Sequence, residues 1–173
     1  MDAAKIKTFA GFEFDVHRLR SDDLPLLAEF WRHVSRENLE TRFLGEDDPT
    51  QPKPPAQLTS QHGDTTSTFL ATGGDGSVIS IAILVSDATQ SKARVMVFTR
   101  DGVTSHGVSW ALLARVLDDA RSEGIKSISS VLDKADIAAI RLELKMGFVE
   151  SEYPHNPSLR LLEWSWPTAG KQA

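Results

Sequence analysis

The chain has 173 residues, 40% hydrophobic and 25% charged, with 11 glycines and no cysteine, the composition of one ordinary globular domain. A chain of this length buries about 70% of its unfolded surface, so neither a disulfide nor a structural metal is needed to hold it, and thiol nucleophiles, thiol redox chemistry and Cys-based zinc sites are excluded. Lys+Arg 19 against Asp+Glu 24 leave a net charge of -5, the wrong sign for attraction to a phosphate backbone. The segment from Met1 to Gly11 is too charged for a signal peptide, and the longest uncharged apolar run, Gly76 to Ser86, is far short of a membrane span. The expectation is a cytoplasmic protein with neither nucleic acid nor membrane as a partner.

In chain order, Phe12, Phe14 and Val16 alternate with Glu13, Asp15 and His17, the period of a half-buried strand, which ends near Arg20. Ser21, Asp22 and Asp23 then offer capping side chains before Leu24, Leu27, Ala28, Trp31 and Val34, spaced as one face of a helix. Ser35 can cap a shorter second helix to about Arg42, closed by Phe43-Leu44-Gly45. Residues 46–63 crowd Pro49, Pro52, Pro54 and Pro55 into polar sequence and read as a long loop, either a solvated connection or a wall over a site.

Strand character resumes at Thr68–Thr72, turns through Gly73-Gly74-Asp75-Gly76 into Val78–Val85, and turns again at Ser86–Ser91 into Arg94–Thr99. The period then changes. Val108, Ala111, Leu112, Leu117 and Ala120 predict a helix ended by Gly124, Ile125–Leu132 a strand, and Asp136–Met146 a helix stopped by Gly147. Leu162, Trp164 and Trp166 alternate in a last strand, and residues 167–173 form a frayed tail after Pro167. The whole chain, 1–173, reads as a single α/β domain (α+β in some schemes) with a central mixed, mostly antiparallel sheet flanked by helices.

Three stretches in this order resemble the GNAT acyltransferase superfamily. Val16 to Asp23 with Ser35-Arg36-Glu37-Asn38 and Arg42-Phe43-Leu44-Gly45 is similar to the opening of bacterial protein-lysine acetyltransferase catalytic domains. Arg100 to Leu113 aligns with that family's acyl-CoA loop and helix, and Asp136 to Phe148 with its last motif. The loop has a physical logic of its own: backbone N–H groups converging where a strand turns into a helix, backed by the helix dipole, suit a pyrophosphate, and small residues let it approach. The resemblance implies acetyl-CoA as acyl-donor cosubstrate, no metal, and an amine acceptor, either a small molecule or a protein lysine. The cofactor-binding set it implies is Val97, Phe98, Thr99, Thr104, Ser105, His106, Gly107, Val108, Ser109, Trp110 and Asp136.

The chain departs from the family pattern at several of these positions. Thr104 replaces the usual Gln or Arg, His106 stands where a basic residue is common, and Ser109 takes the place of the second glycine or alanine; Gly107 is retained. Arg94 stands where related protein acetyltransferases carry a glutamate general base, and a guanidinium accepts no proton at neutral pH. Glu143 occupies the position of a tyrosine that protonates the leaving thiolate in many members; it is either part of a solvated helix face or, if buried, an acid or base. Asp136 replaces the motif's asparagine, and either contacts the cofactor or only caps the helix.

His17, His33, His62, His106 and His155 lack metal-ligand spacing, and no Gly-x-Ser-x-Gly elbow marks a serine hydrolase. Trp110, Trp164 and Trp166 offer either an aromatic wall at an acyl pocket or packing in a core or interface. The expected function is acyl-CoA-dependent N-acyl transfer, with acetyl-CoA the donor, by direct attack of a primary amine in a ternary complex. The alternatives are a catalytically degenerate module that senses acyl-CoA or scaffolds a partner, and a homodimeric scaffold joined through Trp164 and Trp166.

Overall fold

A computed structural model describes residues 4–35, 66–103 and 106–166. Beyond Ser35, the expected second helix lies outside the described residues, as do the proline-rich loop 46–63, Thr104, Ser105 and the tail 167–173. Eight strands form one sheet: β1 (Ala4–Lys7), β2 (Glu13–Arg18), β3 (Thr66–Thr72), β4 (Val78–Ser86), β5 (Lys92–Thr99), β6 (Ser127–Asp133), β7 (Val149–Glu152) and β8 (Leu159–Ser165). Their order across the sheet is β1-β2-β3-β4-β5-β6-β8-β7. All neighbours are antiparallel except β5 and β6, which are parallel because a helix carries the chain across between them.

That crossover helix, α2 (Val108–Ser122), buries Val108, Leu112, Leu113, Val116, Leu117 and Ala120 against one face of the sheet. Full burial of each Leu or Val side chain contributes roughly 1.5–3 kcal/mol. The same face of the sheet supplies Phe14, Val16, Phe69, Ala71, Ala93, Val95 and Ile128. Arg18 on β2 reaches Asp119 on α2 and Glu123 just past its end while its guanidinium lies 5.2 Å from the Phe69 ring, so the outer side of the helix is tied to the sheet by charge and by stacking. Helix α1 (Leu24–Trp31) covers the opposite face, where Leu27 and Phe30 pack with Leu70, Ile81, Ile83 and Phe98. Helix α3 (Ile137–Met146) begins at Asp136, whose carboxylate accepts from Ala139 N at 3.2 Å, and ends at Gly147 with φ 102°.

Three local expectations give way to tertiary context. Ser21–Asp23 forms a 3-10 turn; Asp23 accepts from Arg20 N at 2.8 Å and sits 3.1 Å from His17 Nε2 instead of capping α1. Helix α1 stops at Trp31, short of Val34, with His33 N bonded back to Phe30 O. Two edge strands, β1 and β7, appear beyond those read from alternation.

Candidate active site

Strand β5 pairs with β6 over only three positions, Lys92–Ser127, Ala93–Ile128 and Arg94–Ser129. Both strands continue, β5 to Thr99 alongside β4 and β6 to Asp133 alongside β8, so the sheet parts into a wedge whose apex is at Arg94 and Ser129. An extended chain admitted to such a wedge meets strand edges on both sides, the arrangement that strand addition uses. Among the predicted site residues Val97, Phe98 and Thr99 lie on β5 past the apex. The Phe98 and Val108 side chains are buried in the two cores, so any contact they make to a ligand in the wedge comes from backbone.

At the mouth of the wedge a chain of hydroxyls fixes β5 to the crossover helix. Ser80 Oγ donates to Phe98 O at 2.9 Å and is 2.9 Å from Thr99 Oγ1, which is 2.7 Å from Ser109 Oγ in the first turn of α2. Ser80 is fully buried and Thr99 is nearly so. Ser109 thus directs its hydroxyl at β5, and the residue that departs from a small-residue loop pattern serves to position the loop. Gly107, the N-cap of α2, has φ 76°, a left-handed conformation that a side chain disfavours. His106 precedes it with its ring 5.0 Å from Phe12 and Nδ1 making no hydrogen bond. These residues and Trp110 border a cavity of about 440 Å³ whose other wall is the β1–β2 turn, Lys7–Ala10.

At the apex, Arg94 is half-buried and shares the α1 side of β5 with Met96 and Phe98. On the other side Glu143 of α3 is only 4% exposed, and its Oε1 is 2.9 Å from Ser130 Oγ, the residue after the last β5–β6 pair. A solvated face is thereby ruled out for Glu143: it is a carboxyl group shielded from bulk water, beside the point where the strands part. Ser130 had no signal of its own in the sequence. Asp136 caps α3 through Ala139 N, the simpler of its two readings.

Trp164 and Trp166 do not join Trp110. Trp164 pairs with Ile128 at the closed end of the wedge and stacks edge-on with Trp166, centroids 4.4 Å apart, so this pair is packing for the α3–β8 layer. Among the described residues no group of three or more His, Asp or Glu side chains is arranged to hold a metal, and no helix is long and apolar enough to cross a membrane.

No protein-family profile and no curated protein matches the sequence. Solved structures do match in shape. The chain is similar to the GNAT domain of S. lividans PAT, with a TM-score of 0.81 and 22% identity over 94% of this chain and 96% of that one. The chain has the GNAT fold. The ribosomal-protein-S18-alanine N-acetyltransferase from Escherichia coli gives a TM-score of 0.69 at 18% identity, covering 91% of this chain and 97% of that one. Spermidine N-acetyltransferase from Vibrio cholerae, in complex with CoA and spermine, gives 0.69 at 16%, covering 88% and 95%. The wedge between β5 and β6 is the part of this GNAT fold that gathers the predicted site residues: the β5 edge, the start of α2 and Glu143.

Proposed function

We propose that the protein is an acyl-CoA-dependent N-acyltransferase that takes acetyl-CoA as donor and a primary amine, on a small molecule or a protein lysine, as acceptor. The observation that carries the reading is the wedge itself, with the tight His106–Ser109 turn at its mouth and a buried carboxyl at its apex. The donor's pantetheine arm lies along the β5 edge at Val97–Thr99, which positions the thioester carbonyl, and its diphosphate meets the loop from Thr104 to Ser109. The amine attacks the carbonyl carbon. A C–N bond forms, the C–S bond breaks with its electron pair on sulfur, and Glu143 gives the thiolate its proton while the excess proton on nitrogen passes to water. Ser130 holds the Glu143 carboxyl for that transfer.

The reading is tested by CoA release with acetyl-CoA over a panel of amines, polyamines and lysine peptides. Acceptor-dependent release above hydrolysis is expected, and none with any acceptor counts against turnover. Arg94 at the apex favours a second reading, a binding module without turnover, because its guanidinium accepts no proton from an amine. Stoichiometric acetyl-CoA binding without transfer would select that module. The cysteine-free chain suits a reducing compartment, and we assign the protein to the cytoplasm.

A further inference from the structure

At the apex of the wedge one row of facing residues carries charge of both signs. Arg94 on β5 pairs with Ser129 on β6, and Ser129 with Glu163 on β8. Their strand neighbours fix which side of the sheet the three occupy. Ala93, Val95, Ile128, Leu162 and Trp164 pack in or against the core under α2, so Arg94, Ser129 and Glu163 stand on the opposite, α1 side. Arg94 and Ser129 are half-buried and Glu163 is exposed. Two strand spacings, about 10 Å, separate the backbone at Arg94 from that at Glu163, with only the small Ser129 side chain between them. A guanidinium at one end of this row offers a fork matched to a carboxylate, and a carboxylate at the other attracts an ammonium.

In the acyl-CoA reading the Thr104–Ser109 loop and Glu143 belong to the α2–α3 side of the wedge, which leaves the α1 side to the acceptor. Resting on that reading, we propose that Arg94 and Glu163 select a free diamino acid of the lysine or ornithine kind and direct the acyl group to its distal amine. Arg94 holds the α-carboxylate and Glu163 the α-ammonium. The glutamate that related protein acetyltransferases carry in place of Arg94 would repel that carboxylate. Val97, where the β5 edge meets the thioester, lies three residues beyond Arg94, about 10 Å along the strand. An α-amine held on the row is out of reach of the thioester, whereas an amine at the end of a flexible stem is carried toward it. Lysine within a protein, whose α-nitrogen and α-carbonyl are amides, offers the row neither charge.

Rates of CoA release from acetyl-CoA test this on wild type, Arg94→Gln and Glu163→Gln. The acceptors are L-lysine, cadaverine, which is lysine without its carboxylate, and a lysine peptide blocked at both ends. The thermal midpoint reports whether each variant folds. Wild-type kcat/KM should be about ten- to a hundredfold higher for L-lysine than for either other acceptor, with the acetyl group found on the distal nitrogen by mass spectrometry. Arg94→Gln should bring L-lysine down to the rate of cadaverine, and Glu163→Gln should raise KM for L-lysine with little change in kcat. Wild type that uses cadaverine or the peptide as well as L-lysine overturns the proposal and leaves acyl transfer standing, a comparison that needs no variant. A folded Arg94→Gln that keeps the wild-type preference overturns it as well. Wild type inert toward all three overturns it too, and the acyl-transfer reading falls with it if the wider amine panel is also inert.

Discussion

The hydroxyl chain Ser80–Thr99–Ser109 is the structural link between the β5 edge and the start of α2, so breaking it should loosen the site in a measurable way. Thr99→Val keeps the shape of the side chain and removes two side-chain hydrogen bonds, to Ser80 at 2.9 Å and to Ser109 at 2.7 Å. At a net ~1 kcal/mol each, the loss is about 2 kcal/mol, and Ser80 stays satisfied through its bond to Phe98 O. Ser109→Ala removes one bond and should cost about 1 kcal/mol. For a domain of this size 1 kcal/mol moves the thermal midpoint by about 2–4 °C, so Thr99→Val should fall by about 4–8 °C and Ser109→Ala by about half as much. The pair share a bond, so the double variant should be little worse than Thr99→Val alone, a coupling read by calorimetric or denaturant unfolding. Strictly additive losses, or a Thr99→Val midpoint equal to wild type, would refute the chain as a structural link.

Other expectations concern the apex, the helix start and a turn. If Glu143 protonates the thiolate, Glu143→Gln should lower kcat about a hundredfold or more with little change in acetyl-CoA affinity. Ser130→Ala should lower kcat less and displace the pH profile, and Ser130→Thr should restore it; an unchanged profile would deny Ser130 a role in holding the proton donor. Gly107→Ala should cost roughly 1–2 kcal/mol because φ 76° disfavours a side chain, not because of crowding, since an added Cβ would lie 3.7 Å from Thr8 Cβ; Gly107→Asn should be milder by unfolding. At the β4–β5 turn, hydrogen bonds to Asp87 from Ser91 N first and then Lys92 N and Thr89 hold its carboxyl below the usual 3.8. A depressed folded value means that this contribution is present above about pH 3.8 and is lost as pH falls through the lower folded value. The midpoint gap between wild type and Asp87→Ala should therefore close in acid, and a gap that widened there would contradict the sign.

Much of the sheet and helix order was legible because it rests on strong local periods: the Val78–Ser86 run, the Val108–Ala120 stripe, and Gly124 and Gly147 as stops. What escaped had weak local signal. β1 is four residues with Ile6 as the only large apolar side chain, and β7 is exposed along its whole length, so each becomes a strand only by pairing with a neighbour. Asp23 was drawn from the cap to Arg20 N and His17, a partnership set by the packing of β2 against the turn. At the site, the loop and the last helix were readable, but their chemistry was not. Glu143 lies three residues from buried Ile140 on α3, the one sequence hint that it faces inward, while its partner Ser130 lies on a separate element, β6. Ser109 read as a loop residue near phosphate, and only the approach of α2 to the end of β5 reveals that its hydroxyl is spent on Thr99.

Direct binding of acetyl-CoA to the purified chain by isothermal titration calorimetry, with a thermal-shift titration alongside, tests the central claim most directly. Saturable one-to-one binding is predicted, with stabilisation of roughly 2.7 kcal/mol at a hundredfold excess over the dissociation constant. No binding up to millimolar acetyl-CoA would contradict the acyltransferase reading and the wedge as its site.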